Sequence, residues 1–408
     1  MASLELEAGC GAVPAESSNE IKHRRKKIRK KKSKNGAFHY LPKFRCFSLK
    51  SETTDGKGNF DMEVEDEAGR KMNPTHLIIM VNGLVGSAED WRYAATQFLR
   101  RYPEDVVVHC SECNCSTLTF DGVDVMGDRL AEEVKSVTKR HRSVEKISFV
   151  GHSLGGLIAR YAIGKLYERD DSRALSKENG ECRSNRFEDL WLEQEVRGKI
   201  AGLKPVNFIT SATPHLGSRG HKQVPVFCGF QILEKLAART SWCLGRTGRH
   251  LFLTDKDNGK PPLLLQMVDD SEDLKFLSAL KSFRRHVAYA NVRFDHLAGW
   301  STSSIRRKKE LPKLKHLSRD DKYPHIVNVE TIDTASTQEE VSLEDKVNID
   351  FEEEMIRGLT KVSWERIDVN FSGSRQKYLA HSTIQVKTYW IHSDGGDVIQ
   401  HMVDNFLV

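Results

Sequence analysis

The sequence predicts an α/β fold in which a mostly parallel central sheet is flanked by helices. Three observations predict this fold. Short apolar runs typical of buried strands recur, apolar residues at helical spacing separate them, and one run ends in a glycine-rich turn that leads directly into a helix. The predicted strands are residues 76–81, 105–109, 144–150, 205–211, 286–292 and 364–371, and the predicted helices include residues 89–101, 125–137 and 397–408.

The positive charge of the chain is concentrated in one short segment. The 408 residues carry a net charge of +6, but residues 22–34 hold ten Lys or Arg and no acid, which leaves −4 for the rest. We therefore predict that residues 1–37 form a disordered basic arm and that residues 38–408 form the folded domain. The basic run is a nuclear localisation signal, an anchor on anionic membrane, or a solvated tail. It contains no aromatic residue, so no specific nucleic-acid partner is expected.

Targeting signals and cysteine usage predict the compartment. No stretch approaches the ~18 consecutive apolar residues of a membrane span, and residues 1–20 lack the apolar core of a secretory signal. The eight cysteines are expected to stay reduced. These features predict an intracellular protein of the cytoplasm, while the basic run leaves the nucleus and a membrane surface open.

Two stretches interrupt the alternation of strands and helices. Residues 218–282 contain apolar helical pieces, which form either a lid over an apolar pocket or ordinary core helices. Residues 308–350 are highly charged and poor in large apolar side chains, which predicts a surface insertion.

The turn after the strand at residues 144–150 has the features of a nucleophile elbow. Residues 151–155 read Gly-His-Ser-Leu-Gly and fit G-x-S-x-G, and the following residues have helical spacing. A serine at such a sharp strand-to-helix turn needs neighbours without a Cβ, which the glycines supply. Ser153 is therefore the candidate nucleophile of an α/β-hydrolase fold. The alternative interpretation is a glycine-rich turn with a capping serine.

Two backbone amides are candidates for an oxyanion hole. The N–H of Leu154 follows the nucleophile at the start of the helix, where the helix dipole favours negative charge. The strand at residues 76–81 runs into Asn82-Gly83-Leu84, and a loop at this place in a hydrolase donates the second N–H. Leu84 is the predicted donor. Taken alone, this loop is equally consistent with an ordinary strand-to-helix turn.

The acid and the base are selected by chain order, which in this fold is serine, acid, histidine. Asp295 follows the strand at residues 286–292, and His381 lies between the last strand and the last helix. We therefore predict Asp295 as the acid and His381 as the base. Asp269 and Asp270 rank lower for the acid, and His401 ranks lower for the base. His392 lies in a polar loop, His215 comes too early in the chain, and the side chain of His152 is expected to point away from Ser153.

No metal or organic cofactor is predicted. Cys110, Cys113 and Cys115 lie close together in sequence, but no second C-x-x-C or histidine pair occurs at zinc-finger spacing. These cysteines are interpreted as structural or incidental.

Six blocks of the sequence resemble the plant family of "putative serine esterases", a lipase-like family of the α/β-hydrolase superfamily with fungal relatives. The resemblance covers residues 70–307 and 355–408. The blocks are VNGLVGSAEDW, CNCSTLTFDGVDVMGDRLAEEV, ISFVGHSLGGLIARYAIG, FITSATPHLGS, YANVRFDHLAGWSTSSIRR and LAHSTIQV.

The resemblance implies a serine hydrolase that acts on acyl esters of lipids without a metal or cofactor. It places the family's nucleophile on Ser153, its acid on Asp295 and its base on His381. One position departs from the family pattern, because the oxyanion strand of the family ends in His-Gly, whereas this strand is followed by Asn82-Gly83. Activity is expected to survive this change, since backbone amides bind the oxyanion.

The functional prediction is an intracellular serine esterase or lipase with a lipid or other acyl-ester substrate. A thioesterase or an acyltransferase would use the same residues and stays open. The rival hypothesis is a catalytically weak or inactive hydrolase fold that binds a membrane or a partner through the basic residues 22–34.

Overall fold

The computed structural model describes residues 52–54, 60–63, 72–169, 198–218, 244–256, 259–332 and 350–408. A nine-stranded sheet forms the centre of this part of the chain, in the order β1-β2-β4-β3-β5-β8-β9-β11-β10. The strands are β1 (Glu52–Thr54), β2 (Phe60–Met62), β3 (His76–Val81), β4 (Val106–Cys110), β5 (Lys146–His152), β8 (Lys204–Ser211), β9 (Arg285–Asn291), β10 (Ile326–Ile332) and β11 (Trp364–Val369). A small separate pair consists of β6 (Tyr167–Glu168) and β7 (Lys199–Ile200).

The sheet is parallel in its centre and antiparallel at its edges. The pairs β4–β3, β3–β5, β5–β8, β8–β9 and β9–β11 are parallel. The strands β1, β2 and β10 join the edges in antiparallel register. The prediction of an α/β-hydrolase fold with a mostly parallel sheet flanked by helices is confirmed.

Helices cover both faces of the sheet. None of the described helices is long and apolar enough to cross a bilayer. They are α1 (Arg92–Arg101), α2 (Val123–Arg140), α3 (Leu154–Leu166), α4 (Gly245–Leu251), α5 (Leu263–Gln266), α6 (Phe276–Lys281), α7 (Trp300–Ser304), α8 (Phe351–Leu359), α9 (Ala380–Thr383), α10 (Tyr389–His392) and α11 (Gly396–Asp404).

Strand β3 shows how the sheet separates two cores. Its residues are buried throughout, but successive side chains point to opposite faces. Leu77 and Ile79 pack in one core together with residues of α2 and α3. Ile78 and Met80 pack in the other core together with residues of α1 and α11. A strand that is apolar on both faces is what a sheet covered by helices on both sides requires.

The segment predicted as a charged surface insertion contains a strand of the main sheet. Strand β10 pairs antiparallel with β11 along the edge of the sheet. One charge of this region has a buried partner, because Glu330 of β10 accepts from the guanidinium of the fully buried Arg306, which also donates to Asp368 of β11. The prediction of a surface insertion, which was based on the high charge of the segment, is therefore wrong for residues 326–332. Residues 333–349 lie outside the described part of the chain.

The segment predicted as lid or core helices is described only in part. The side chains of Leu264 in α5 and of Phe276 and Leu280 in α6 are buried and pack in the core that contains α3. Residues 219–243 lie outside the described residues, and so does the basic arm at residues 1–37. The lid and the arm stay predictions.

Candidate active site

Ser153 occupies a sharp turn between β5 and α3. Its backbone has φ 54° and ψ −125°, a left-handed conformation that is uncommon for a residue with a side chain. The turn is held by a hydrogen bond of 2.9 Å from Ser153 N to Ser211 O at the end of β8. A Cβ at Gly151 would lie 2.6 Å from Gly156 Cα, so the strand and the helix approach too closely for any other residue there. The turn therefore projects Ser153 from the carboxyl edge of the sheet.

The structure brings Ser153, His381 and Asp295 together. Nε2 of His381 lies 2.9 Å from Ser153 Oγ, and Nδ1 lies 3.0 Å from each carboxylate oxygen of Asp295. The three residues follow β5, β9 and β11, whose carboxyl ends meet at one edge of the sheet. This order of contacts is the geometry that activation of a serine by a histidine requires.

Asp295 is held rigidly beneath the imidazole. Its carboxylate accepts hydrogen bonds from Asn291 Nδ2 at 2.8 Å, Leu297 N at 3.0 Å and Ala298 N at 2.9 Å. Burial raises the pKa of the Asp295 carboxyl, but the neighbouring His381 and these hydrogen bonds outweigh it and leave the pKa below its ordinary value. Asp295 is therefore ionised at neutral pH and suited to orient the His381 ring.

Leu84 and Leu154 line the same cavity as Ser153. Within the described part of the chain, neither N–H has a hydrogen-bond partner. The Leu84 loop is fixed by hydrogen bonds of 3.0 Å from Gly86 N to Gly83 O and from Val85 N to Thr119 Oγ1. A Cβ at Gly83 would lie 2.9 Å from Ser153 Cβ, so the loop passes directly over the serine. Two free donors in a fixed loop and a helix start suit the binding of an oxyanion.

The side chain of Asn82 forms hydrogen bonds that hold this loop in place. Its buried side-chain amide donates to Asn114 O at 2.9 Å and to Gly83 O at 3.2 Å. The residue that departs from the family pattern thus ties the loop to the segment after β4, and it leaves the amide of Leu84 free.

His152 is a member of the site for which sequence reasoning found no role. Its Nε2 donates to the backbone oxygen of His381 at 2.6 Å, and the two rings lie 4.8 Å apart. Burial and the adjacent His381 lower the pKa of His152 to about 3, so its ring is neutral at physiological pH. The only sequence feature that could have indicated a role for His152 is its position next to Ser153. That position does not predict a contact with His381, which lies 229 residues further along the chain.

The other candidate residues lie away from Ser153. His401 Nδ1 contacts Tyr289 Oη at 2.9 Å, and His215 Nε2 contacts Thr210 Oγ1 at 3.0 Å. His392 contacts the backbone of Thr388, and Asp270 accepts from backbone amides at the start of α6. Asp269 is exposed at the surface. None of these side chains contacts the serine.

The cavity above Ser153 has a volume of about 170 Å³. Its walls are largely apolar, with a polar group formed by Lys387, whose Nζ lies 3.0 Å from Asp90 Oδ2. The apolar lining residues are Leu84, Leu154, Pro214, Leu244, Leu251, Phe252 and Leu297.

The cysteines near β4 do not form a metal site with other residues of the described chain. Cys110, Cys113 and Cys115 are free thiols. Among the described residues, no group of three His, Cys, Asp or Glu side chains converges in a way that could hold a metal ion.

Comparison with protein families agrees with the geometry. Residues 71–305 match the family described as "Putative serine esterase (DUF676)". The chain belongs to this family. This assignment covers more than half of the chain and includes Ser153 and Asp295, whereas His381 lies beyond the matched residues.

Relatives of this chain are found among yeast proteins. The chain is 28% identical over 263 residues to "Putative lipase ROG1" of Saccharomyces cerevisiae, covering 62% of this chain and 32% of that protein. It is 27% identical over 259 residues to "Putative lipase C4A8.10" of Schizosaccharomyces pombe, covering 61% of this chain and 28% of that protein. The chain thus spans about a third of the length of these relatives. They are fungal, so the plant attribution stays untested.

Solved structures give a weaker likeness. An esterase from Pyrococcus furiosus superposes with a TM-score of 0.31 at 15% identity, over 65% of this chain and 78% of that one. At this level the superposition carries no argument about activity.

Proposed function

We propose that this member of the serine esterase family hydrolyses acyl esters of lipids with Ser153 as nucleophile, His381 as general base and Asp295 as the acid that orients it. The observation that carries the proposal is the position of the His381 ring. It bridges Ser153 Oγ at 2.9 Å and the ionised Asp295 at 3.0 Å, at the base of a largely apolar cavity.

The proposed reaction proceeds through an acyl-enzyme. Ser153 Oγ attacks the ester carbonyl carbon while its proton passes to His381 Nε2, and the oxyanion accepts hydrogen bonds from the N–H groups of Leu84 and Leu154. Collapse of this intermediate breaks the bond to the alcohol, which leaves with the proton from His381. Water then attacks the acyl-serine with His381 again as the base, and the fatty acid and free Ser153 are released.

The cavity supports the choice of substrate class. Most of its exposed lining surface is apolar, and five leucines and Phe252 contribute to it, which suits an acyl chain better than a charged acid. Thioesters and transfer to another alcohol use the same chemistry, and hydrolysis of oxygen esters is proposed because the family relatives are described as lipases. No described residue favours the non-catalytic alternative, and the basic run at residues 22–34 lies outside the described chain.

Labelling with a fluorophosphonate probe tests the proposal. The wild-type protein is expected to form a covalent adduct, which peptide mass spectrometry places on Ser153, and it should hydrolyse p-nitrophenyl esters with a preference for acyl chains that fit the cavity. His381→Ala should abolish labelling, while His316→Ala, which changes an exposed histidine, should not. An adduct on another serine, or undiminished labelling of His381→Ala, would refute the mechanism.

His152 is expected to act as a positioning residue for His381. His152→Phe removes the N–H donor to the His381 backbone and should lower kcat by about tenfold with little change in KM, the loss expected for one hydrogen bond of about 1.4 kcal/mol. His152→Gln retains a donor and should recover part of the rate. Because the pKa of His152 is about 3, the pH dependence of kcat above pH 5 should keep its shape in both variants. A changed KM with an unchanged kcat would contradict this role.

A further inference from the structure

Exposed apolar side chains are concentrated in the segments that line the cavity that holds Ser153. The described part of the chain has eleven large apolar side chains that are exposed to solvent. Seven of them line the cavity or lie within four residues of a residue that lines it. We call these seven the mouth patch: Val85, Leu297, Tyr378, Leu379, Tyr389, Trp390 and Ile391.

The mouth patch is built on the segments that carry the site. Tyr378 and Leu379 immediately precede α9, which contains His381, and Tyr389, Trp390 and Ile391 belong to α10, which contacts α9. Val85 adjoins Leu84 in the loop over Ser153. The patch is therefore carried by the segments that line the cavity above the serine.

The aromatic residues of the patch are held in place. The Tyr389 ring stacks on Tyr93 of α1 at a centroid distance of 5.1 Å, and the Tyr378 ring meets Phe294 edge-on at 5.3 Å. Next to Tyr389, the side chain of Trp390 is 90% exposed. Exposure of such a large apolar indole to water, beside tyrosines in fixed orientations, is unfavourable in free energy. This cost is removed if a lipid phase covers the indole.

The segment that carries five of the seven patch residues is positively charged. The segment from residue 373 to residue 391 contains Arg375, Lys377 and Lys387 and no acidic residue. Lys387 is neutralised by Asp90, whereas Arg375, Lys377 and the exposed Arg293 form no ion pair with any described carboxylate. Cations around a group of tyrosine, tryptophan and leucine side chains complement an anionic lipid surface.

We infer that the mouth patch docks the protein on an anionic phospholipid surface, with Trp390 inserted among the lipids and the cavity opening toward the acyl chains. The inference rests on the proposed function, because it states how a lipid ester reaches Ser153. An acyl chain would pass from the bilayer into the leucine-lined cavity without crossing water, and the arrangement commits the enzyme to substrates presented in a lipid phase.

Vesicle binding by the full-length chain tests the inference, with Trp390 as the reporter. The vesicles contain phosphatidylcholine alone or an equimolar mixture with phosphatidylserine. Acyl-brominated lipid should quench the fluorescence of Trp390. Because the chain has six tryptophans, the contribution of Trp390 is obtained by subtracting the fluorescence of Trp390→Phe from that of the wild type. Trp390→Ser and Tyr378→Ser should each weaken binding to the anionic vesicles by about tenfold. Leu314→Ser, which changes an exposed leucine remote in sequence from every cavity residue, should bind as the wild type does.

The outcomes separate docking from catalysis. Docking is supported if Trp390→Ser loses activity on vesicle-borne esters but retains it on a short soluble ester. Docking through the patch is overturned if the wild type binds vesicles but the fluorescence of Trp390 is not quenched. Binding would then be attributed to the basic run at residues 22–34, which contains no tryptophan. Docking is also overturned if the wild type does not bind vesicles, as when a protein partner covers the patch. Quenching of Trp390 in a protein without esterase activity would support docking and refute the proposed function.

Discussion

Ser153→Ala is expected to lower kcat/KM for a short soluble acyl ester by about 10⁵–10⁶-fold, the loss typical of removing a serine nucleophile. In the proposed mechanism the Ser153 hydroxyl, whose Oγ lies 2.9 Å from His381 Nε2, forms the acyl-enzyme, and alanine has no group that can replace it. The amides of Leu84 and Leu154 would remain, so a residual rate above that in water is expected from oxyanion binding alone. Steady-state kinetics on the purified variant measures the loss.

The fold should tolerate this substitution. The unusual φ of 54° at Ser153 is imposed by the surrounding turn, and alanine has the same Cβ as serine. We expect the unfolding free energy of Ser153→Ala to change by about 1 kcal/mol or less. Ser136→Ala, which changes an exposed serine of α2, is the matched control and should keep full activity. Activity within tenfold of wild type in Ser153→Ala would mean that another residue is the nucleophile.

Asp295→Asn is expected to lower kcat by about 10⁴-fold while it leaves KM nearly unchanged. The amide has the shape of the carboxylate, but its NH₂ group cannot accept the N–H of His381. The imidazole is then favoured in the tautomer that carries its proton on Nε2, where it cannot accept the proton of Ser153. Loss of the negative charge also removes stabilisation of the imidazolium that forms during the reaction.

The alternative acid provides the control for this prediction. Asp270→Asn changes an exposed carboxylate that accepts from Leu277 N and Ser278 N, so it should leave kcat unchanged. Thermal unfolding of Asp295→Asn should accompany the kinetics, because the buried carboxylate accepts three further hydrogen bonds that an amide satisfies only in part. A folded Asp295→Asn protein with wild-type kcat would exclude Asp295 from the mechanism.

The central strands and the turn at Ser153 were accessible to sequence reasoning because their signals are local. The strand predicted at residues 76–81 coincides with β3, since a run of apolar residues in a sheet covered on both faces is buried at every position. The turn was recognisable because glycine is required where β5 and α3 nearly collide. Strand β10 was missed because it lies in a highly charged stretch of sequence, and the pairing of its Glu330 with the buried Arg306 is not visible in the sequence.

By itself, the sequence determined the class of fold, the position of Ser153 and a short set of candidates for its partners. Only the tertiary structure showed that His381, among the histidines of the described residues, contacts Ser153, and it placed His152 against the backbone of His381. The physical reason is the order of the strands. Ser153, Asp295 and His381 meet because β5, β9 and β11 end at the same edge of the sheet, and strand order depends on long-range packing that no local pattern encodes.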